Sequence, residues 1–163
     1  MSFRIIQQPV RARACGFADG DRRPITPPPI LLLRATCPDP GNYIVLVDLI
    51  PSDQNTLNLE KQTLVGTTVV SGMLLHDLDH QPGIFFVFHD VSVRYKGMYR
   101  LSFTLVDMGQ PNDLPSSYKH PIASLISEEF QVFAAKTFPG MIKPTPITLH
   151  LADQCSKIPV RRA

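Results

Sequence analysis

The chain has 163 residues, of which 44% are hydrophobic, and a formal net charge of +2 at pH 7. This length fits one domain with a sizeable core, and the composition is that of an ordinary globular protein. The longest apolar runs fall far short of the roughly 20 residues that a membrane-spanning helix needs, so neither a span nor a membrane partner is expected. The N-terminus "MSFRIIQQPVRAR" does not have the pattern of a secretory signal.

Positive charge is concentrated at the front of the chain. The first 34 residues carry six arginines and two aspartates, a balance of +4, whereas the remaining 129 carry ten basic and twelve acidic side chains, a balance of −2. This asymmetry indicates an anionic partner, with a solvated basic arm as the alternative. Cys15, Cys37 and Cys155 are widely spaced and form no CxxC, which fits free thiols in a reducing, intracellular compartment.

Strands dominate the predicted secondary structure, because sixteen prolines and nine glycines separate short apolar segments rich in β-branched and aromatic residues. In chain order the strands are predicted at Arg4–Gln8, Ile30–Thr36, Tyr43–Leu49, Leu64–Met73, Ile84–Val93, Tyr99–Val106, Glu128–Ala134 and Ile158–Arg161. Short helices are predicted at His120–Ser127 and at Pro146–Gln154, where Thr145 can serve as the N-cap. The pattern predicts a single mainly β domain over residues 1–163, a two-sheet sandwich with an open barrel as the alternative.

The segment from about residue 9 to 29, "PVRARACGFADGDRRPITPPP", is predicted to be an extended basic loop. We call the part of the loop that contains Arg11 and Arg13 the near limb and the part that contains Arg22 and Arg23 the far limb. Arg11 and Arg13 are two residues apart and should point the same way, while Arg22 and Arg23 should face outward from the far limb. Pro27–Pro29 should hold an extended course. Because the arginine fork pairs with phosphate oxygens or with the O6 and N7 edge of guanine, the loop predicts DNA or RNA binding.

Metal binding and catalysis are not predicted. "HDLDH", His76 to His80, places two histidines and two aspartates close together, but the sequence offers no second cluster for the remaining ligands, so a polar turn is the favoured interpretation. Cys15 has no recognisable histidine partner, and GxSxG, P-loop, GxGxxG and HExxH motifs are missing from the sequence. We therefore expect a protein that is not an enzyme, without a metal or cofactor.

Three blocks of the sequence resemble the fungal velvet-domain regulators. They are "IIQQPVRARACGFADGDRRPITPPPILLL", "FFVFHDVSVRYKGMYRLSFTL" and "FQVFAAKTFPGMIKPTPITLHLADQCSKIPVRR". The blocks occur in the family's order and extend over almost the whole chain. The resemblance implies an immunoglobulin-type β-sandwich similar to the Rel homology domain, with one or two short helices.

The resemblance also implies a function. It points to a sequence-specific regulator that binds double-stranded DNA, controls development, sporulation and secondary metabolism, and forms homodimers or heterodimers with velvet domains. Arg11, Arg13, Arg22 and Arg23 occupy the motif that contacts DNA in the family, and Arg4, Cys15, Lys96, Lys136 and Lys143 are candidates for further contacts. Localisation in the nucleus is expected, with shuttling to the cytoplasm left open. The alternative is an interaction module that dimerises with a DNA-binding or regulatory partner.

Overall fold

A computed structural model describes residues 1–17, 22–35, 42–52, 64–109 and 121–160. Within these ranges the chain forms strands and one helix, and all elements are short except the central strand β10. The elements are β1 (Ser2–Gln7), β2 (Arg11–Arg13), β3 (Ile30–Arg34), β4 (Tyr43–Pro51), β5 (Leu64–Gly66), β6 (Val69–Ser71), β7 (Met73–His76), β8 (Pro82–Val87), β9 (Val91–Val93), β10 (Gly97–Asp107), β11 (Pro121–Ile126), β12 (Phe130–Phe133) and α1 (Pro146–Gln154).

The strands are arranged in two main sheets and one small ribbon. The smaller main sheet has the order β1-β3-β8-β7, and the larger has the order β2-β12-β10-β4-β6, with β11 also paired to β10. Strands β5 and β9 form the ribbon. The pairings are antiparallel apart from that between β2 and β12, which is parallel.

The main core lies between the two sheets because each contributes one alternating face. On β10 the buried residues are Leu101, Phe103 and Leu105, the alternation that the sequence predicts. Leu31 and Leu33 of β3 belong to the same cluster. This packing confirms the predicted mainly β class and is consistent with a Rel-like β-sandwich.

A second apolar cluster covers the other face of the smaller sheet. Ile30 and Leu32 alternate with the core residues of β3 and pack in a cluster with Leu151 of α1. The helix begins where predicted, because the Thr145 Oγ1 accepts a hydrogen bond from the Thr148 amide over 3.2 Å and Pro146 follows at the first position. This helix is too short to cross a membrane, and the described part of the chain contains no other helix that could.

Several predicted boundaries are wrong. The segment predicted as a helix at His120–Ser127 contains β11, which pairs with β10 from Ser102 to Val106. The predicted strand Leu64–Met73 is divided among β5, β6 and β7, since Gly66 turns the chain with a φ of 112°. The predicted strand Ile84–Val93 is likewise split into β8 and β9.

The ends of the chain also differ from expectation. Arg11–Arg13 forms β2, a strand that the extended basic segment alone does not predict. At the other end, residues 158–160 are not in a strand, and Arg161 lies outside the described residues, as do Asp19, Asp21 and Cys37.

Candidate nucleic-acid interface

The near limb of the basic loop is a strand at the edge of the larger sheet. In β2 the side chain of Ala12 is fully buried, so Arg11 and Arg13 lie on the opposite, outward side, as predicted. The Arg11 Nε donates a 2.8 Å hydrogen bond to the Gly140 carbonyl. This bond fixes the direction of the Arg11 side chain and leaves its two terminal amino groups without a hydrogen bond to any described residue.

The far limb returns alongside the near limb. The Arg11 and Thr26 backbones exchange hydrogen bonds of 3.1 and 2.9 Å. Both limbs also contact β9: the Cys15 amide bonds to the Val93 carbonyl, and the Ile25 amide bonds to the Val91 carbonyl. The structure therefore brings the two limbs of the loop together over β9.

Arg22 does not face outward, so the predicted orientation is wrong for this residue. Its guanidinium forms an ion pair with Asp90 and donates hydrogen bonds to the Val65 carbonyl (3.0 Å) and the Ser92 hydroxyl (3.4 Å). The backbones of Gly66 and Asp90 lie very close together here, since a Cβ atom added at Gly66 would lie 2.0 Å from the Asp90 carbonyl oxygen. Arg22 thus joins the far limb to the β5–β9 ribbon.

The side chain of Arg23 is also partly buried. Its Nε atom is buried, and its backbone carbonyl accepts a hydrogen bond from the Ser92 hydroxyl over 3.4 Å. The outward charge of the far limb is therefore smaller than the sequence suggests. Arg11 and Arg13 are the arginines whose outward positions suit contact with a ligand.

The additional candidates are distributed around this surface rather than gathered in it. Cys15 is a half-buried free thiol in the near limb, and Lys96 is exposed next to Gly97. Lys136 and Lys143 are exposed in the loop between β12 and α1, whose Gly140 holds Arg11. Arg4 is exposed in β1, on the other sheet.

An aromatic and cationic cluster at the loop was not predicted as part of the site. Phe17 is 68% exposed, and the Arg94 guanidinium lies over its ring, 4.5 Å from the centroid. Tyr95 contacts the same ring edge-on at a centroid distance of 6.1 Å. A phenylalanine inside the polar stretch "CGFADGDRR", outside any apolar alternation, was the sequence signal for it.

The "HDLDH" segment is a polar turn between β7 and β8, in agreement with the favoured interpretation. The Asp77 carboxylate accepts hydrogen bonds from the amides of Gln81 (2.8 Å) and Asp79 (2.9 Å), and Arg34 contacts its other oxygen. The Gln81 amide bond is the main cause that lowers the pKa of Asp77, with Arg34 and the Asp79 amide adding to it against desolvation. Among the described residues no group of three ligand-type side chains could hold a metal ion.

A second surface feature is the outer side of the larger sheet. Seven apolar side chains point away from both core clusters there, and we call them the open face: Ile44, Leu46, Ile50, Val69, Val106, Ile122 and Ile126. Ile126 is 60% exposed and Ile122 is 40% exposed. Whereas α1 covers the smaller sheet, it does not cover the open face, and it is the only helix in the described ranges.

Two β-sheets packed as a sandwich, with a basic loop at one edge, define a β-sandwich domain of the immunoglobulin or Rel type. Comparison with known proteins refines this class. A family model described as Velvet factor matches residues 1–61 and 51–163 of the chain. The chain belongs to the velvet family.

Several named relatives are similar to this chain over almost its whole length. The chain is 34% identical to "Developmental and secondary metabolism regulator MVE1" of Zymoseptoria tritici over 97% of its own length and 74% of the relative's. It is 33% identical to "Sexual development regulator umv3" of Mycosarcoma maydis, over 98% of this chain and 45% of the relative. "Spore development regulator vosA" of Beauveria bassiana is 32% identical over 96% of this chain and 64% of the relative. The chain thus spans between 45% and 74% of the length of these three relatives.

Proposed function

We propose that this chain is a sequence-specific regulator that binds double-stranded DNA and controls fungal development, sporulation and secondary metabolism. The names of its relatives describe regulators of development and secondary metabolism rather than enzymes. We also propose that residues 1–163 form a single velvet domain, that it is not an enzyme, and that it works in the nucleus.

The observation that carries the DNA-binding proposal is the paired outward position of Arg11 and Arg13. Side chains two residues apart on one side of a strand are about 7 Å apart, so both arginines can contact the backbone of one DNA molecule. Arg11 is oriented by its bond to Gly140, so less conformational entropy is lost when it binds. Phosphate contacts would supply most of the affinity, and one or two arginines would read guanine in the major groove.

The test is fluorescence anisotropy of the purified chain with a pool of random duplexes at two salt concentrations, followed by sequencing of the bound fraction. Salt-dependent binding with an enriched motif supports the proposal. Replacing Arg11 and Arg13 together by alanine should weaken binding, whereas Arg34→Ala, which removes an arginine paired with Asp77 away from the loop, should not. Equal affinities of the double variant and the wild type would contradict the assignment.

The open face favours a second function, association with another velvet domain. Ile44 pairs with Val106 and Leu46 pairs with Val69, so these four residues form an apolar group on this side of the sheet. An exposed apolar patch bounded by polar residues is typical of a protein interface. Asp48 and Arg100 are both exposed on this side of the sheet, so a two-fold axis that passes between them would pair each with the opposite charge of the partner domain. Two relatives, from Emericella nidulans and Gibberella moniliformis, are named as subunits of a velvet complex, which supports a partner of this kind.

Size-exclusion chromatography with light scattering, with and without a second velvet protein, tests this association. Ile126→Asp should shift the dimer towards the monomer, because a charge would be buried without a partner. Leu78→Asp replaces an apolar residue that is similarly exposed, but in the turn after β7, and should leave the mass unchanged. A dimer that survives Ile126→Asp would exclude the open face as the interface.

A further inference from the structure

Phe17 is a large apolar side chain displayed at the tip of the near limb. It is 68% exposed, although phenylalanine is among the residues most often buried in folded proteins. The two residues before it are bonded to the end of β9 and to the residue after it, since the Cys15 amide donates to the Val93 carbonyl and the Gly16 amide donates to the Arg94 carbonyl. Phe17 is therefore exposed directly beside backbone that is bonded to the sandwich.

The ring is held in place from two sides. The Gly16 amide donates to the Arg94 carbonyl over 3.0 Å, and the Arg94 Nη1 donates back to the Gly16 carbonyl over 2.8 Å. The same guanidinium lies over one face of the Phe17 ring, and Tyr95 meets it edge-on. Tyr95 is anchored in turn, since its carbonyl accepts a 3.0 Å hydrogen bond from the hydroxyl of the buried Tyr99. Little side-chain entropy remains to be lost when a ligand contacts Phe17.

The charges around the ring determine what ligand would suit it. Arg13 precedes it in the near limb, Arg94 lies on its face, and Lys96 is exposed close by in the chain. Among the described residues, Asp90, four positions before Arg94, is paired with Arg22. An apolar ring beside these basic side chains fits a ligand that is anionic at its backbone and carries an apolar group between the charges.

The geometry points to Phe17 as a base-reading residue that contacts the C5-methyl group of a thymine in the major groove. Thymine is the base that presents an apolar group there, and phenylalanine is suited to contact it. A wedge inserted between base steps would need both faces of the ring, and Arg94 covers one of them. This inference rests on the proposed DNA-binding function and adds the base that the loop reads.

The experiment is a double-mutant cycle that combines a substitution in the protein with a base replacement in the DNA. Wild type and Phe17→Ala are titrated with the selected duplex and with duplexes in which single thymines are replaced by uracil, which lacks only the methyl group. For the wild type we expect one position where uracil weakens binding roughly fourfold, the loss that corresponds to one buried methyl-sized group. Phe17→Ala should bind the thymine duplex more weakly by a similar factor, lose nothing further with uracil, and keep the wild-type salt dependence.

Two controls keep the result interpretable. Leu78→Ala removes an apolar side chain that is 51% exposed away from the loop and should bind like the wild type. Phe17→Leu keeps an apolar side chain and should retain part of the discrimination between thymine and uracil. Thermal unfolding of each variant checks that the fold is intact.

Other outcomes would overturn the inference. If Phe17→Ala retains the full penalty for uracil, or binds as tightly as the wild type, the residue does not read thymine, while the DNA-binding function stands. Tighter binding to single strands than to duplex, lost in Phe17→Ala, would instead assign the ring to stacking on unpaired bases. If the chain binds no duplex, with or without a second velvet domain, both the inference and the proposed function fail.

Discussion

The arginines of the basic loop differ in what surrounds them. Arg11 and Arg13 lie on the outward side of β2, whereas Arg22 is bonded to Asp90, Val65 and Ser92. The sequence predicted the first pair correctly because alternation along an extended segment is local. The sequence could not predict the surroundings of Arg22, because its partner Asp90 is 68 residues away from it in the chain.

We predict that Arg22→Ala lowers the free energy of unfolding by about 1–2 kcal/mol, because it leaves a partly buried carboxylate and carbonyl without their donor. The side chains of Arg22 and Asp90 are 27% and 38% exposed, so solvent screens part of the pair. Urea denaturation measures the change. Lys136→Ala, at an exposed position, should stay within about 0.5 kcal/mol of the wild type. If the two variants unfold at the same urea concentration, Arg22 has no structural role.

At the scale of elements, local sequence predicted the strands with strong alternation and the capped helix, but not the identity of β11. Its sequence "PIASLI" has few β-branched residues, and its pairing with β10 decides its conformation. Because this segment was predicted to be helical, its contribution of Ile122 and Ile126 to the open face could not be predicted either.

The N-terminus of α1 is tied to β1 by polar side chains. Thr145 Oγ1 donates to the Gln7 Oε1 over 2.6 Å, and Gln7 Nε2 donates to Thr148 Oγ1 over 2.9 Å and to the Pro28 carbonyl over 2.8 Å. Gln7 is buried, so this network joins the start of the helix to the proline segment of the basic loop.

Thr145→Ala should therefore destabilise the protein by more than an ordinary N-cap loss of about 1 kcal/mol, because Gln7 would lose a buried partner as well. Chemical denaturation provides the measurement, and Ser156→Ala, in the exposed turn after α1, is the matched control. A loss no larger than that of Ser156→Ala would show that the network contributes nothing to stability.

The turn that follows β7 should make the stability of the folded protein depend on pH. Since the folded state lowers the pKa of Asp77, the stabilisation is present above the unfolded pKa of about 3.9 and is lost as the pH falls through the folded value. The stability difference between wild type and Asp77→Asn should thus shrink as the pH falls from 6 to 3. Glu129→Gln removes a carboxylate from an exposed position away from this turn and serves as the control. A difference that stays constant over this range would contradict the prediction.

At the scale of the whole molecule, the two sheets have different outer surfaces. The smaller sheet is closed by α1, whereas the larger sheet carries arginines at its β2 edge and the open face over β4, β6, β10 and β11. Sequence composition predicted the basic surface, because the arginines are clustered in the chain. It could not predict the open face, whose residues come from segments between positions 44 and 126.

The arrangement separates the two proposed activities along one sheet. Arg11 and Arg13 lie on the same outer side of the larger sheet as the open face, at its β2 edge. If a partner on the open face leaves this edge uncovered, a dimer presents two basic strands. Two linked contacts raise the effective affinity for one DNA molecule when their spacing fits the duplex. Ile126→Asp should therefore weaken DNA binding as well as dimerisation, although it lies outside the basic loop.

The most direct test of the central claim is the salt dependence of DNA binding by wild type, Arg11→Ala, Arg13→Ala and Lys157→Ala on one selected duplex. If Arg11 or Arg13 contacts a phosphate, its alanine variant should lower the slope of log affinity against log salt by about one unit; if it reads guanine, the loss should be roughly 1–3 kcal/mol at one base position. Lys157→Ala provides the comparison for an exposed lysine in the turn after α1, outside the candidate contacts. Identical slopes, affinities and base preferences for wild type, Arg11→Ala and Arg13→Ala would contradict the claim that this strand binds DNA.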